Sequence, residues 1–182
     1  MKKIGLATGV WIMKKTLLVL ILSIVLLAVF GMEAKAQIPK EGTTLQTWYY
    51  SGTFKVLPMG QERLQMNYEC LGVITGDGDT SKNIFHNASF QFLGSLHAVK
   101  GKWVGGSGFG VAVRPDGDKV FFTYKDGGKL GVSNKGAWII VGGTGKLAGI
   151  EGNGEYTCFD VRPVAEGTFQ GYCPDKVHYK LP

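Results

Sequence analysis

The chain has 182 residues, 45% hydrophobic, 12% aromatic and 19% charged, with 28 glycines, 3 cysteines and a formal net charge of +6. That length suits a single domain with a real core, and the aromatic and charge fractions exclude a disordered chain. Glycine without a G-X-Y period excludes collagen, while the basic balance raises nucleic acid or an anionic membrane as partners.

Residues 1–36 read as a signal peptide. Lys14 and Lys15 precede an apolar run from Leu17 to Phe30 broken only by Ser23, and Ala34 and Ala36 supply an A-x-A cleavage signal before Gln37. The run is too short for a membrane span. Met1-Lys2-Lys3 and Met13-Lys14-Lys15 leave two starts open, at Met1 and at Met13. Cleavage removes five lysines against Glu33, so the net charge of residues 37–182 falls to +2. Their lysines are spread singly, which excludes the basic face that nucleic acid requires. After cleavage no membrane partner is expected either, and the exported domain lies in the periplasm or outside the cell.

From Gln37 onward no helical period persists, and short alternating segments take over. Thr47–Val56 sets Trp48, Tyr50 and Phe54 on one face. Leu64–Ile74 does the same with Leu64, Met66, Tyr68 and Cys70, opposite Gln65, Asn67 and Glu69. Ala88–Val99 places Phe90, Phe92, Leu96 and Ala98 opposite Gln91, Ser95 and His97. Further strands are expected at Gly108–Val113, Lys119–Lys125, Ala137–Val141, Glu155–Val161, Thr168–Cys173 and Lys176–Lys180. Asp77-Gly78-Asp79, Pro115-Asp116-Gly117-Asp118 and Asp126-Gly127-Gly128 carry turn chemistry between them. The pattern predicts an all-β domain over residues 37–182, a single antiparallel up-and-down barrel of about eight strands, with a β-sandwich as the alternative.

The cysteines all lie in the exported part, where disulfides form. Cys158 and Cys173 are equidistant from the polar turn Arg162–Gly167, so a symmetric hairpin brings them face to face, leaving Cys70 as a buried thiol. A pairing through Cys70 is the rival.

Catalytic and cofactor motifs fail on inspection. The glycine-rich stretch Gly142–Gly154 contains Gly145-Lys146, but Ile140 and Leu147 stand where a phosphate loop needs Gly and Ser or Thr. Its Gly143-x-Gly145-x-x-Ala148 lacks room for the helix of a dinucleotide site. The Asp-Gly-Asp turns lack the register of a helical calcium loop, and His86, His97 and His178 have no metal-ligand spacing. No cofactor and no metal are therefore expected. His97 and Glu69 are the candidate catalytic groups, each sharing a polar strand face that would matter if it lined a barrel interior.

The stretch Trp138–Tyr156, with its Gly142-Gly143-Thr144-Gly145 loop, resembles the late strands and loop of the allene oxide cyclase-like barrels, a superfamily that includes plant dirigent proteins and bacterial exported domains. Arg114–Phe121 and Tyr50-Ser51-Gly52-Thr53 fit the same pattern. The resemblance implies an eight-stranded antiparallel barrel with an interior cavity and frequent oligomerisation; the plant enzymes' catalytic residues match no positions here. The expected function is an exported small-molecule-binding or structural barrel, with a small apolar or aromatic ligand at Trp48, Tyr50, Tyr68, Phe90 and Phe92 and further copies of the chain as partners. The alternative is an isomerase or cyclase acting on an apolar substrate in the cavity.

Overall fold

The computed structural model describes residues 38–78, 80 and 83–182. The expected signal peptide and its cleavage point lie outside these. The described chain forms eight strands: β1 (Glu41–Pro58), β2 (Arg63–Gly76), β3 (Ala88–Val99), β4 (Lys102–Val113), β5 (Lys119–Lys129), β6 (Ser133–Gly143), β7 (Glu151–Val161) and β8 (Thr168–Lys180). Each pairs antiparallel with its sequence neighbours, and β8 returns to β1, closing a barrel in simple meander order. Closure leaves no free sheet edge among these strands, and the alternative of two packed sheets is set aside.

The alternation read from the sequence is the alternation of the wall. Gln46, Trp48, Tyr50, Gly52 and Phe54 of β1 face inward, as do Phe90, Phe92, Gly94 and Leu96 of β3, while Tyr49, Leu71 and Leu93 face out. Three local expectations change. Asp126-Gly127-Gly128 is strand, not turn; the chain reverses at residues 130–132 instead. The expected Thr168–Cys173 and Lys176–Lys180 are one continuous β8. Pro174 is tolerated because the β7–β8 ladder skips Thr157 and Cys158 opposite Cys173 and Pro174, where no N–H is needed. Asp77-Gly78 opens a long β2–β3 connection rather than a tight hairpin, and Asp79 lies outside the described residues.

That gap in the ladder is crossed covalently. Cys158 and Cys173 form a disulfide with Cα atoms 4.0 Å apart, directly opposed in the hairpin register, and Cys70 is a buried free thiol.

Two inserted segments close one end of the barrel. The β2–β3 connection turns in and buries Ile84 and Phe85, and the Arg114 guanidinium holds it by donating to the Ile84 carbonyl at 2.8 Å. The β6–β7 connection makes a 3₁₀ turn at Gly145–Leu147, burying Leu147 and Ile150. Here the glycine-rich stretch has its explanation. The backbone N–H of Lys146 donates to Asp118 Oδ2 at 3.0 Å, the Lys146 ammonium reaches Asp116 Oδ2 at 2.8 Å, and Thr144 Oγ1 accepts from the Lys119 N–H. Gly145, at φ +56, sits where any Cβ would strike the Asp118 carboxylate. Lys146 and Arg114 hold the Asp116 carboxyl well below the usual carboxylate range. The stretch is a clasp between two turns.

Candidate functional site

Above this plug the interior is hollow. A cavity of about 650 Å³ runs along the barrel and is bordered at its far end by Leu130 and Gly131 of the β5–β6 turn and by Arg162, Pro163 and Thr168 around the β7–β8 turn. The mouth therefore lies at the end opposite the plug. Eight strands commonly enclose just enough space for their own side chains or one small ligand, and this interior keeps the space.

The hollow depends on pairing large rings with glycines across strands. Phe90 lies against Gly72, Tyr50 against Gly171, Trp138 against Gly154, Tyr156 against Gly136, and Phe122 against Gly110. Gly94 is the tightest case: a Cβ there would collide with the hydroxyls of both Tyr68 and Tyr124, which hydrogen-bond to each other at 2.9 Å. With no side chain beneath them the rings flatten onto the wall instead of meeting at the axis.

The deep part of the cavity is aromatic. Trp48 packs on Phe90, Phe122 and Trp138 at centroid distances of 4.7, 5.4 and 5.7 Å, and Phe85 of the plug meets Trp138 from below at 5.7 Å. Among these rings sits Asp175, 5% exposed. Its carboxylate accepts from Trp48 Nε1 (2.9 Å), Trp138 Nε1 (3.1 Å) and Gln46 Nε2 (3.1 Å). Burial pushes its carboxyl up to about 6, against the pull of these donors.

Two more carboxylates line the outer half. Asp126 Oδ2 accepts from Tyr156 Oη at 3.0 Å and Asn134 Nδ2 at 3.3 Å, while its buried Oδ1 has no partner. Burial raises this carboxyl to about 6 as well. Asp160 accepts from Tyr50 Oη at 2.9 Å and is raised by the same cause. Burial and these carboxylates together push the Tyr50 and Tyr156 hydroxyls far above their ordinary range, so both stay protonated donors. Trp103 Nε1 is a second buried polar atom of the cavity lining without a partner.

Trp103 faces inward because of a bulge. His97 pairs with Gly105 and Ala98 with Trp103, leaving Val104 as the extra residue on β4. The bulge reverses the inward set from Gly106 to Trp103 and turns an indole into the cavity that strict alternation would send out.

The five residues singled out as ligand-lining, Trp48, Tyr50, Tyr68, Phe90 and Phe92, all border the cavity. His97 and Glu69 do not. His97 lies on the outer wall beside Ser95, Ser107 and Lys125, and Glu69 is exposed, accepting from Gln91 Nε2 at 2.6 Å. Being on the polar phase of their strands, both point away from the space a substrate would occupy. The inward acids Asp126, Asp160 and Asp175 were the missed residues. Their signal was phase: each stands two residues from an inward side chain, after Tyr124, after Cys158 and before Val177. No three His, Cys, Asp or Glu side chains converge as a metal site among the described residues.

Comparison with known proteins gives a likeness of shape. No family model and no curated protein matches the chain. Among solved structures it is similar to the pterocarpan synthase dirigent protein GePTS1, at a TM-score of 0.47 and 11% identity, over 84% of this chain and 99% of that one. At that similarity nothing about ligand or activity passes from one protein to the other.

Proposed function

We propose that the protein is an exported binding protein that holds a small apolar or aromatic molecule inside its barrel without turning it over. The observation that supports this most is the hollow itself. A barrel of this size packed only for stability would fill with side chains, because lining rings that face empty space lose dispersion contacts. Here the glycines opposite the rings keep about 650 Å³ open behind a mouth at one end. The Cys158–Cys173 disulfide supports an oxidising compartment. Native mass spectrometry of protein purified from its source tests the reading. A stoichiometric adduct, lost when the protein is denatured, is the expected result; protein of bare chain mass throughout counts against it.

A second reading, isomerase or cyclase, is favoured by one observation: Asp126 combines a free oxygen with a carboxyl raised to about 6, which suits proton transfer near neutral pH. If it holds, D126N abolishes turnover of a cyclisable substrate while its binding persists.

Self-association belongs to the outer wall. Leu71 and Val73 of β2, Leu93 of β3 and Phe109 of β4 form an exposed apolar patch across neighbouring strands, with Phe109, 71% exposed, at its edge. A patch of this kind fits a second copy of the chain. Light scattering after size exclusion should give a multiple of the monomer mass, and F109K should return it to monomer; a wild-type monomer refutes self-association.

A further inference from the structure

The charge inside the cavity narrows what it can hold. Its charged lining is acidic: Asp126, Asp160 and Asp175 come from three different strands and are distributed along the cavity, whereas the one basic side chain on its border, Arg162, is exposed at the mouth, and Trp103 Nε1 is the lining's one unpartnered buried donor. Asp175 is already occupied by three N–H donors. Asp126 is not. One oxygen serves Tyr156 and Asn134, and the other is buried, unpartnered and held among aromatic rings. An acceptor left in this state costs free energy that a donor from a ligand would recover.

We propose that the ligand is a small hydrophobic organic cation, an amine whose ammonium sits at Asp126 and whose apolar body lies along the rings of Trp48, Phe90 and Phe92. The inference rests on the reading of the cavity as a binding site and adds the sign of the ligand's charge. Three features support it together. The ammonium supplies the donor that Asp126 Oδ1 lacks. The lining beside it is aromatic, with Tyr68, Tyr124 and Trp103, and a cation gains more from ring faces than a neutral hydroxyl does. A carboxylate ligand would meet three acids and no inward base. Burial also raises the Asp126 carboxyl, so a charged Asp126 in the empty cavity is unfavourable, and a bound cation relieves it.

The test is a titration with three probes of one shape, phenylbutylamine, phenylbutanol and phenylbutyrate, followed by the fluorescence of the tryptophans lining the cavity. The amine is expected to bind at least tenfold more tightly than the alcohol, and the acid more weakly than both. D126N should erase the amine's advantage while leaving the alcohol's affinity within about twofold, which also shows that the variant is folded. D160N should reduce the advantage less, because Asp160 faces Tyr50 and not the unpartnered site. Equal binding of amine and alcohol overturns the cation inference and leaves the binding reading standing. Tightest binding of the acid overturns it in favour of Arg162. No binding of any probe overturns both.

Discussion

Acidification should stabilise this protein over a range in which many proteins lose stability. Burial raises the carboxyls of Asp126 and Asp175 from an ordinary 3.8 to about 6, more than the hydrogen bonds from Tyr156 and Asn134, or from Trp138, Trp48 and Gln46, pull them down. A raised acid holds its proton in the folded state at a pH where the unfolded chain has already lost it. Its contribution is complete below 3.8 and disappears as pH rises through about 6. Between about pH 7.5 and about pH 5 each group therefore adds about 1.4 kcal/mol, and the two together nearly 3 kcal/mol. Asp160 shifts in the same direction. Asp116, held low by Lys146 and Arg114, opposes the trend only when pH falls through and below the ordinary carboxylate range. Urea unfolding at the two pH values reads the effect as a midpoint higher by about 1–3 M at pH 5, for slopes of about 1–3 kcal/mol/M. In D126N the rise should be half as large, because the amide does not titrate. A midpoint that is flat or falls on acidification would refute the burial of charged carboxylates on which the argument rests.

Other perturbations follow from the same structure. Reducing the Cys158–Cys173 bridge, or replacing both cysteines by alanine, should cost about 3 kcal/mol, since it frees a loop with a sequence separation of 15 and opens the ladder beside Pro174; the urea midpoint under reducing and oxidising conditions measures it. G94A should destabilise by about 1–3 kcal/mol, because its methyl collides with the bonded Tyr68 and Tyr124 hydroxyls, and a thermal melt within a degree of wild type would contradict that packing. V164A removes only an 88% exposed side chain of the β7–β8 turn and should change unfolding stability by less than about 0.5 kcal/mol.

Much of the wall was legible because strand phase is local. Ala88–Val99 was read with its observed limits, and every large ring assigned to its inner face points inward. The disulfide was legible for a related reason: in a symmetric hairpin, equal distance from the turn is register, and Cys158 and Cys173 share it. His97 and Glu69 fell to the outer wall by the same rule, once the barrel proved to keep its rings inside. What escaped was cross-strand. Gly72, Gly94 and Gly154 are strand residues whose purpose lies in the ring on the neighbouring strand, a pairing that no single strand's pattern carries. Trp103 escaped because a bulge at Val104 breaks its phase. Asp126 escaped because Asp-Gly-Gly carries turn chemistry, which the pairing of β5 with β4 and β6 overrides. The plug escaped because the inward turn of Ile84 and Phe85 has no periodic signature.

The central claim, that the interior takes a small molecule, is tested most directly by following the indole N–H resonances of Trp48, Trp103 and Trp138 in a nitrogen–proton correlation spectrum during titration with phenylbutylamine. All three indoles border the cavity, and Phe109 marks the outer wall. The account expects all three indole signals to move and saturate together at one ligand per chain while the Phe109 amide stays in place. Stationary indole signals, or shifts confined to the outer-wall amides, would contradict it.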